Sequence, residues 1–178
     1  ACLDGDLQVV KPAKGAGGAG VTVGIKTKEQ FLLAWKLAVA AAKPGETILL
    51  EEQLPGFDAR VVVVNGIFDC AVARIPAYVI GNGMDTVSAL VEQKNFRRSK
   101  HPHHKRFPIK LSASVAELKP REGEVVYLSK LANIHQGGEA LDITDLIGSA
   151  VIEVAQKASL AVAGLDVVGI DFALSSLC

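Results

Sequence analysis

Short apolar runs, separated by glycine-rich or charged turns, dominate the chain, and their periods predict alternating strands and helices. Leu7–Pro12 reads as a strand, and the alternating, β-branched Val21–Ile25 as a second. Thr27-Lys28-Glu29-Gln30 is a capping box, with Thr27 at the N-cap and Gln30 three residues on. The helix it opens carries Phe31, Leu32, Trp35, Ala38 and Ala42, with Leu37 one position off the period. Lys43-Pro44-Gly45 stops it. Thr47–Leu50 is a third strand, running into Glu51-Glu52-Gln53-Leu54-Pro55-Gly56, so the first part of the chain predicts a β-β-α-β lobe.

Further on, Ala59–Val64 and Ile67–Ala73 flank Asn65-Gly66, the strongest short hairpin signal. Ala77–Ile80 predicts another strand, and Asp85 suits the N-cap of a helix through Val87, Leu90 and Val91. Residues 97–106 read as a basic loop and Val125–Leu128 as a strand. Ser149–Ala163 predicts a helix ended by Gly164, and Leu165–Leu174 a buried strand interrupted by Asp171. No internal repeat is visible.

The glycine run between the first two strands is the sharpest chemical signal. Gly15, Gly17 and Gly20 satisfy G-x-G-x-x-G, but a dinucleotide fingerprint needs a helix directly afterwards, and a strand follows. A Walker A loop needs Lys then Ser/Thr after its last glycine, and Val21-Thr22 stands there. A kinase loop sits between strands, but Lys26 comes too soon and no H-R-D or D-F-G occurs. What remains is a hairpin tip of exposed backbone N–H groups, Gly18 among them, with Lys11 beside it: a flap for a polyphosphate. Taken alone, the cluster fits a flexible surface turn equally well.

Composition narrows the class further. The chain has 178 residues, 49% of them hydrophobic, enough for a core of ordinary size. Nineteen basic residues balance 19 acidic ones, which points to neither a nucleic-acid nor a membrane partner. Apolar runs stop well short of a membrane span, and the start of the chain does not read as a signal peptide. Cys2, Cys70 and Cys178 are odd in number and lack C-x-x-C spacing, so a reducing cytoplasmic compartment is expected. The missing initiator Met and the stop at Cys178 suggest a piece of a longer protein.

Several polar positions carry candidate chemistry. The exposed backbone of Glu51 to Leu54 can offer a carbonyl and an N–H to a purine edge, and Asp58 can reach a ribose hydroxyl; an ordinary acidic turn is the alternative. Asp171, within Val167-Val168-Gly169-Ile170-Asp171-Phe172, is a costly lone carboxylate unless paired or on a metal, and Mg²⁺ suits it; a strand-end Asp that caps a neighbour is the alternative. Arg60 and Arg74, on the two arms of the Asn65-Gly66 hairpin, are near one another though not strictly opposed, and can clamp a carboxylate or a phosphoryl group; solvated strand-edge charge is the alternative. Lys130, Asn133 and Gln136-Gly137-Gly138 form a second polar glycine element. His101, His103, His104 and His135 invite a metal reading, but Lys100, Lys105 and Arg106 surround the first three, so a solvated basic loop is expected.

Taken in order, five blocks resemble the ATP-grasp carboxylate–amine ligases, in the branch of cyanophycin synthetase, bifunctional glutathione synthetase and N-acetylglutaminylglutamine synthetase. They are VVKPAKGAGGAGVTVGI, LLEEQLPGFDARVVVVNG, ARIPAYVIGNGMDTVSALVEQKN, SKLANIHQGG with ALDITD, and GLDVVGIDF, together spanning Val9 to Phe172. The resemblance implies an α+β fold of two lobes with largely antiparallel sheets sandwiching the nucleotide: a small lobe over 1–56 and a large, incomplete lobe over 57–178. It implies ATP and Mg²⁺ as cofactors. Lys11 would bind the phosphates, and Gly15 to Gly20 would form the flap. Glu51, Glu52 and Leu54 would meet adenine, and Asp58 the ribose. Arg60 and Arg74 would stabilise an acyl phosphate or substrate carboxylate, with Lys130 and Asn133 near triphosphate and substrate. Asp171 would hold Mg²⁺. The expected activity is ATP-dependent joining of a carboxylate to an amine through an acyl phosphate; the alternative is a non-catalytic nucleotide-binding or regulatory module. Expected partners are an amino-acid or short-peptide substrate and flanking domains of the same chain, with a homo-oligomer allowed. Two departures stand out. Ser129-Lys130 occupies a stretch where this branch often has Arg, and Lys lacks the bidentate fork. The Glu and Asn that follow GIDF in the family and complete its magnesium site fall beyond Cys178.

Overall fold

The computed structural model describes residues 8–15 and 17–177. Leu7, Ala16, Cys2 and Cys178, which entered the sequence reading, lie outside the described residues. The described chain is α+β, with every strand pairing antiparallel.

The first sheet holds β1 (Gln8–Pro12), β2 (Thr22–Ile25) and β3 (Ile48–Glu52) in the order β2-β1-β3. Helix α1 (Lys28–Ala41) starts at the expected capping box, with Thr27 accepting from the Gln30 backbone and the Gln30 side chain reaching back. Its buried face matches the expected one only in part: Ala38 and Phe31 pack into the core, but Leu32 and Leu37 do not. Ala34 and Ala38 are fully buried, whereas Leu32, Leu33 and Leu37 are exposed. The small residues let the helix approach Val10 and Ile25 closely, and the larger ones are left outward.

The second sheet has the order β8-β5-β4-β9, from β4 (Phe57–Val64), β5 (Ile67–Ile75), β8 (Glu139–Asp142) and β9 (Val167–Leu174). The Asn65-Gly66 turn has φ of 50° and 78°, the doubly positive pair a tight hairpin requires. Alternation, shifted once where the pairing passes from Val62–Cys70 to Val63–Phe68, then splits the sheet. Ala59, Val61, Val63, Ala71 and Ala73 are buried towards helix α4 (Ser149–Leu160), whose Val151, Ile152 and Ala155 close the core. Full burial of a valine such as Val61 or Val63 contributes about 1.5–3 kcal/mol. Asp58, Arg60, Arg74 and Asp171 take the opposite, uncovered face.

This corrects the buried-strand expectation for the last strand. β9 is an edge strand, and Asp171 has 54% of its side chain exposed. Its apolar run packs on one face only, so the neighbouring valines gave a false signal of two-sided burial. β8, in the Ala-Leu-Asp stretch, was not anticipated because its four residues carry no clear alternation.

A third core joins β6 (Tyr78–Ile80) and β7 (Val125–Tyr127) to α2 (Val87–Arg98) through Ala77, Val79, Val87, Leu90, Val91 and Ile109. Thr86, not Asp85, caps α2; Asp85 instead accepts from Asn82 and Gln93 side chains. The expected basic loop is partly helical. α2 runs on to Arg98, and α3 (Pro102–Arg106) starts with the proline in its first turn. No described helix is long and apolar enough to cross a membrane.

Candidate functional site

Three groups of the expected residues come together in the fold. The first is on the open face of the second sheet. Arg60 on β4 lies opposite Asp171 on β9, while Arg74 on β5 lies opposite Asp58 on β4, two residues before Arg60. The Arg60 guanidinium grips Asp171 with both ends of its fork, Nε to Oδ1 at 2.8 Å and Nη2 to Oδ2 at 2.9 Å. Arg74 approaches the same carboxylate, Nη2 to Oδ1 at 3.0 Å and Nη1 to Oδ2 at 3.4 Å. Two guanidiniums around one carboxylate leave a surplus positive charge that a second anion can use. Gly169 belongs to this arrangement, since a Cβ there would lie 3.3 Å from Arg60 Cδ.

The second group is the glycine loop. Gly17, Gly18 and Gly20 have positive φ, so the chain turns where side chains are disfavoured. Gln136 Nε2 donates to the Gly18 carbonyl at 3.1 Å and lies 3.4 Å from that of Gly17. An alanine Cβ at Gly18 would meet Asn133 Oδ1 at 2.5 Å. The two polar glycine elements, 118 residues apart, therefore rest on each other. Gly137, at φ 91°, lets the lower turn close against Ile109. His135 precedes the same turn and meets Phe107 edge to face, with ring centroids 4.4 Å apart.

The third group lies on the first sheet. Lys11 on β1 pairs with Glu51 on β3 through Nζ and Oε2. Both are partly exposed, so a polyphosphate can compete with Glu51 for the ammonium. Glu52 ends β3, and Leu54 beyond it is 65% exposed. Asp58 is exposed at the start of β4.

Between the first and second sheets runs a cleft of about 630 Å³. Val23, Gly24 and Lys26 line one wall, Arg74, Ile75 and Lys130 the other, and Gln53 and Phe57 bridge them. The Gln53 side chain accepts from the Gly24 N–H at 2.7 Å, tying β2 to the joining segment. Arg74 and Lys130 thus share this cleft, whereas Lys11, Leu54 and Asn133 are not part of its wall. Gln53, Gly24 and Lys26 were missed from sequence. Only the hinge position of Gln53, between Glu52 and Leu54, hinted at its part.

Among the described residues no group of three or more His, Cys, Asp or Glu is placed to hold a metal. His101 and His103 stack on His104 at 5.1 and 5.8 Å. Burial, then the positive charges of Arg98, His101 and His103, lower the pKa of His104 below its ordinary value.

Comparison with known proteins agrees with this architecture. No protein-family model matches the chain. Cyanophycin synthetase from Geminocystis herdmanii is 34% identical over 175 residues, covering 92% of this chain and 20% of that protein. Cyanophycin synthetase from Synechocystis is 33% identical, over 95% of this chain and 20% of the relative. The glutathione biosynthesis bifunctional protein of Enterococcus faecalis is 32% identical, over 92% and 23% respectively. The crystal structure of a bifunctional glutathione synthetase from Pasteurella multocida superposes with a TM-score of 0.59 at 25% identity, over 97% of this chain and 24% of that one. The chain spans about a fifth of the length of the curated relatives it matches. It is a homologue of the cyanophycin synthetases and bifunctional glutathione synthetases, matching one segment of each, and it has the ATP-grasp fold of that ligase branch.

Proposed function

We propose that this chain is the ATP-binding segment of an enzyme that joins a carboxylate to an amine at the expense of ATP. The observation that carries the reading is the cleft between the two sheets, where Arg74 and Lys130 face a glycine-containing strand and a joining segment. Residues 1–56 form the small lobe of this proposal and 57–178 the large one. The nucleotide lies between them, with Glu51, Glu52 and Leu54 at the base and Asp58 at the ribose. Lys11 and the N–H groups of Gly15, Gly17, Gly18 and Gly20 hold its phosphates. The amine and carboxylate substrates are amino acids or short peptides.

The chemistry needs no protein nucleophile. A substrate carboxylate oxygen bonds to the γ-phosphorus as the bond to the leaving ADP oxygen breaks, giving an acyl phosphate. The amine nitrogen then bonds to the acyl carbon, and phosphate and a proton leave. Arg60 and Arg74 hold the carboxylate and then the acyl phosphate, and Lys130 with Asn133 keeps reactant and phosphate together. Gln136 seats the glycine loop over the reacting centre and limits access of water. When bound, Mg²⁺ would neutralise phosphate charge, and Asp171, an exposed carboxylate of the kind Mg²⁺ takes together with phosphate oxygens, would hold it. Asp171 is held by arginines that can exchange it for the substrate carboxylate, which supports the same assignment.

A second reading, a nucleotide-binding module without catalysis, draws on that same clasp, because Asp171 has both oxygens engaged and no described acidic neighbour completes a metal cluster. Release of ADP by the full-length protein, screened with amino acids and short peptides, decides between them. Substrate-dependent ADP release is expected; ATP binding without turnover across the panel favours the module. Lys11→Ala is expected to abolish stabilisation of the fold by ATP with Mg²⁺. An equal rise in melting temperature for wild type and variant would place the nucleotide elsewhere.

A further inference from the structure

A second cavity of about 700 Å³ opens on the other side of β6, between that strand, α2 and α3. Its wall is chemically divided. Val79, Ile80 and Leu90 give an apolar floor beside the Tyr78 ring. Lys94, Arg97 and Arg98 bring three permanent cations, against one carboxylate in the lining, Glu139. The remaining nearby carboxylate, Asp85, is already bonded to the Asn82 and Gln93 side chains.

Arg98 is the unusual member. Only 9% of the residue is exposed, yet its contacts are long: Nη1 to the Gly138 carbonyl at 3.4 Å, Nη2 to the Phe107 carbonyl at 3.5 Å and Nη1 to Glu139 at 3.7 Å. Its Nε has no partner, and neither has the buried His104 Nδ1 on the same wall. A buried guanidinium with weak partners is costly unless something completes its hydrogen bonding. Glu139 shows which group the cluster accepts: its carboxylate takes the Lys94 ammonium at 2.8 Å and leaves Arg98 under-served. Arg97 lines the same cavity, is exposed, and has no ion pair among the described residues. Lys94 is committed three ways, to Glu139, to the Tyr78 carbonyl at 2.7 Å and over the Tyr78 ring at 3.7 Å.

We propose that this cavity is a second binding site, distinct from the cleft between the sheets, for a small organic anion that carries a carboxylate on an apolar body. The carboxylate sits against Arg97 and Arg98, and the hydrocarbon part covers Val79, Ile80 and Leu90. The apolar floor favours such a ligand over inorganic phosphate, which would leave that surface wet. The planar guanidiniums favour a carboxylate they can pair at two points.

Titration calorimetry of the 178-residue chain, without ATP or Mg²⁺, tests this with N-acetyl-leucine as the probe. Saturable binding is expected, with N-acetyl-leucinamide, which lacks the charge, and inorganic phosphate each at least about tenfold weaker. Arg97→Gln, an exposed change that leaves the packing intact, is expected to weaken N-acetyl-leucine about tenfold, and Arg60→Gln to leave it unchanged. No binding of N-acetyl-leucine, phosphate binding as tightly as the probe, or loss in Arg60→Gln with retention in Arg97→Gln would each overturn the proposal. Because nucleotide is absent throughout, none of these outcomes depends on the ligase reading.

Discussion

Two clusters in this protein have the same parts, two cations sharing one carboxylate, and opposite surroundings. On the open face of the second sheet, Arg60 and Arg74 hold Asp171 with four contacts between 2.8 and 3.4 Å, and 54% of the Asp171 side chain stays exposed. Behind β6, Lys94 and Arg98 hold Glu139, itself 31% exposed, with 15% and 8% of the cation side chains exposed against 43% and 19% for Arg60 and Arg74, and the Arg98 contact is 3.7 Å. The exposed cluster has the better geometry and the smaller effect on stability, because water serves each member when the others are removed. The inner cluster has poorer geometry and larger consequences, since a charge left there has little water to turn to. Good geometry in the open suits exchange of partners. Poor geometry in the interior marks either a buttress for the Gly138 turn or a site awaiting a ligand.

The comparison is sharpest at the two carboxylates. Glu139→Ala strands Lys94 and Arg98 and is expected to cost about 2–3 kcal/mol, read by urea denaturation. Asp171→Ala is expected to cost less than about 1 kcal/mol in the same assay. If the two losses are equal, burial does not separate the clusters.

A smaller effect comes from Arg98→Met, which removes the under-served guanidinium and keeps an apolar stem. Stability is expected to change by less than about 1 kcal/mol, in contrast to Glu139→Ala. A loss as large as that of Glu139→Ala would show Arg98 to be a full structural partner. Salt gives a finer cut still. Raising NaCl to about 1 M, where the Debye length is about 3 Å, should shrink the already small Asp171→Ala effect towards zero and leave most of the Glu139→Ala effect in place.

The smallest expected effect is on pH dependence. His104 has its pKa lowered by burial and by its positive neighbours, with Arg98 first among them. The unfolded chain therefore binds a proton more readily than the folded one between the folded pKa and the ordinary value near 6.5. This contribution to stability is present above that window and is lost as pH falls through it. His104→Gln should flatten the slope of stability in the pH range just below the ordinary histidine value. An unchanged slope would remove His104 from the inner cluster's electrostatics.

Much of this was legible before the fold was known, and the exceptions are instructive. The capping box, the Asn65-Gly66 hairpin and the glycine loop are local devices, so residues a few positions apart carry the whole signal. The false buried strand at Val167 to Leu174 came from a run of apolar residues whose neighbours across the sheet were unknown. α1 misled for a related reason. Leu32 and Leu37 were expected on the core face beside Ala38, yet close approach to the sheet selects the small Ala34 and Ala38 and leaves the leucines outside.

The sequence by itself determined the order of the elements with strong local signals, the Asn65-Gly66 turn and the residue types that suit phosphate, carboxylate and metal, but not β8 or α3. Tertiary structure alone decided which of them meet. It set Gln136 against Gly18 and the Asp171 carboxylate between two arginines. It also divided two like clusters into an exposed and a buried one. The physical reason is that hydrogen bonding and burial depend on neighbours in space, and Arg60 and Asp171, 111 residues apart, become neighbours only when β4 pairs with β9.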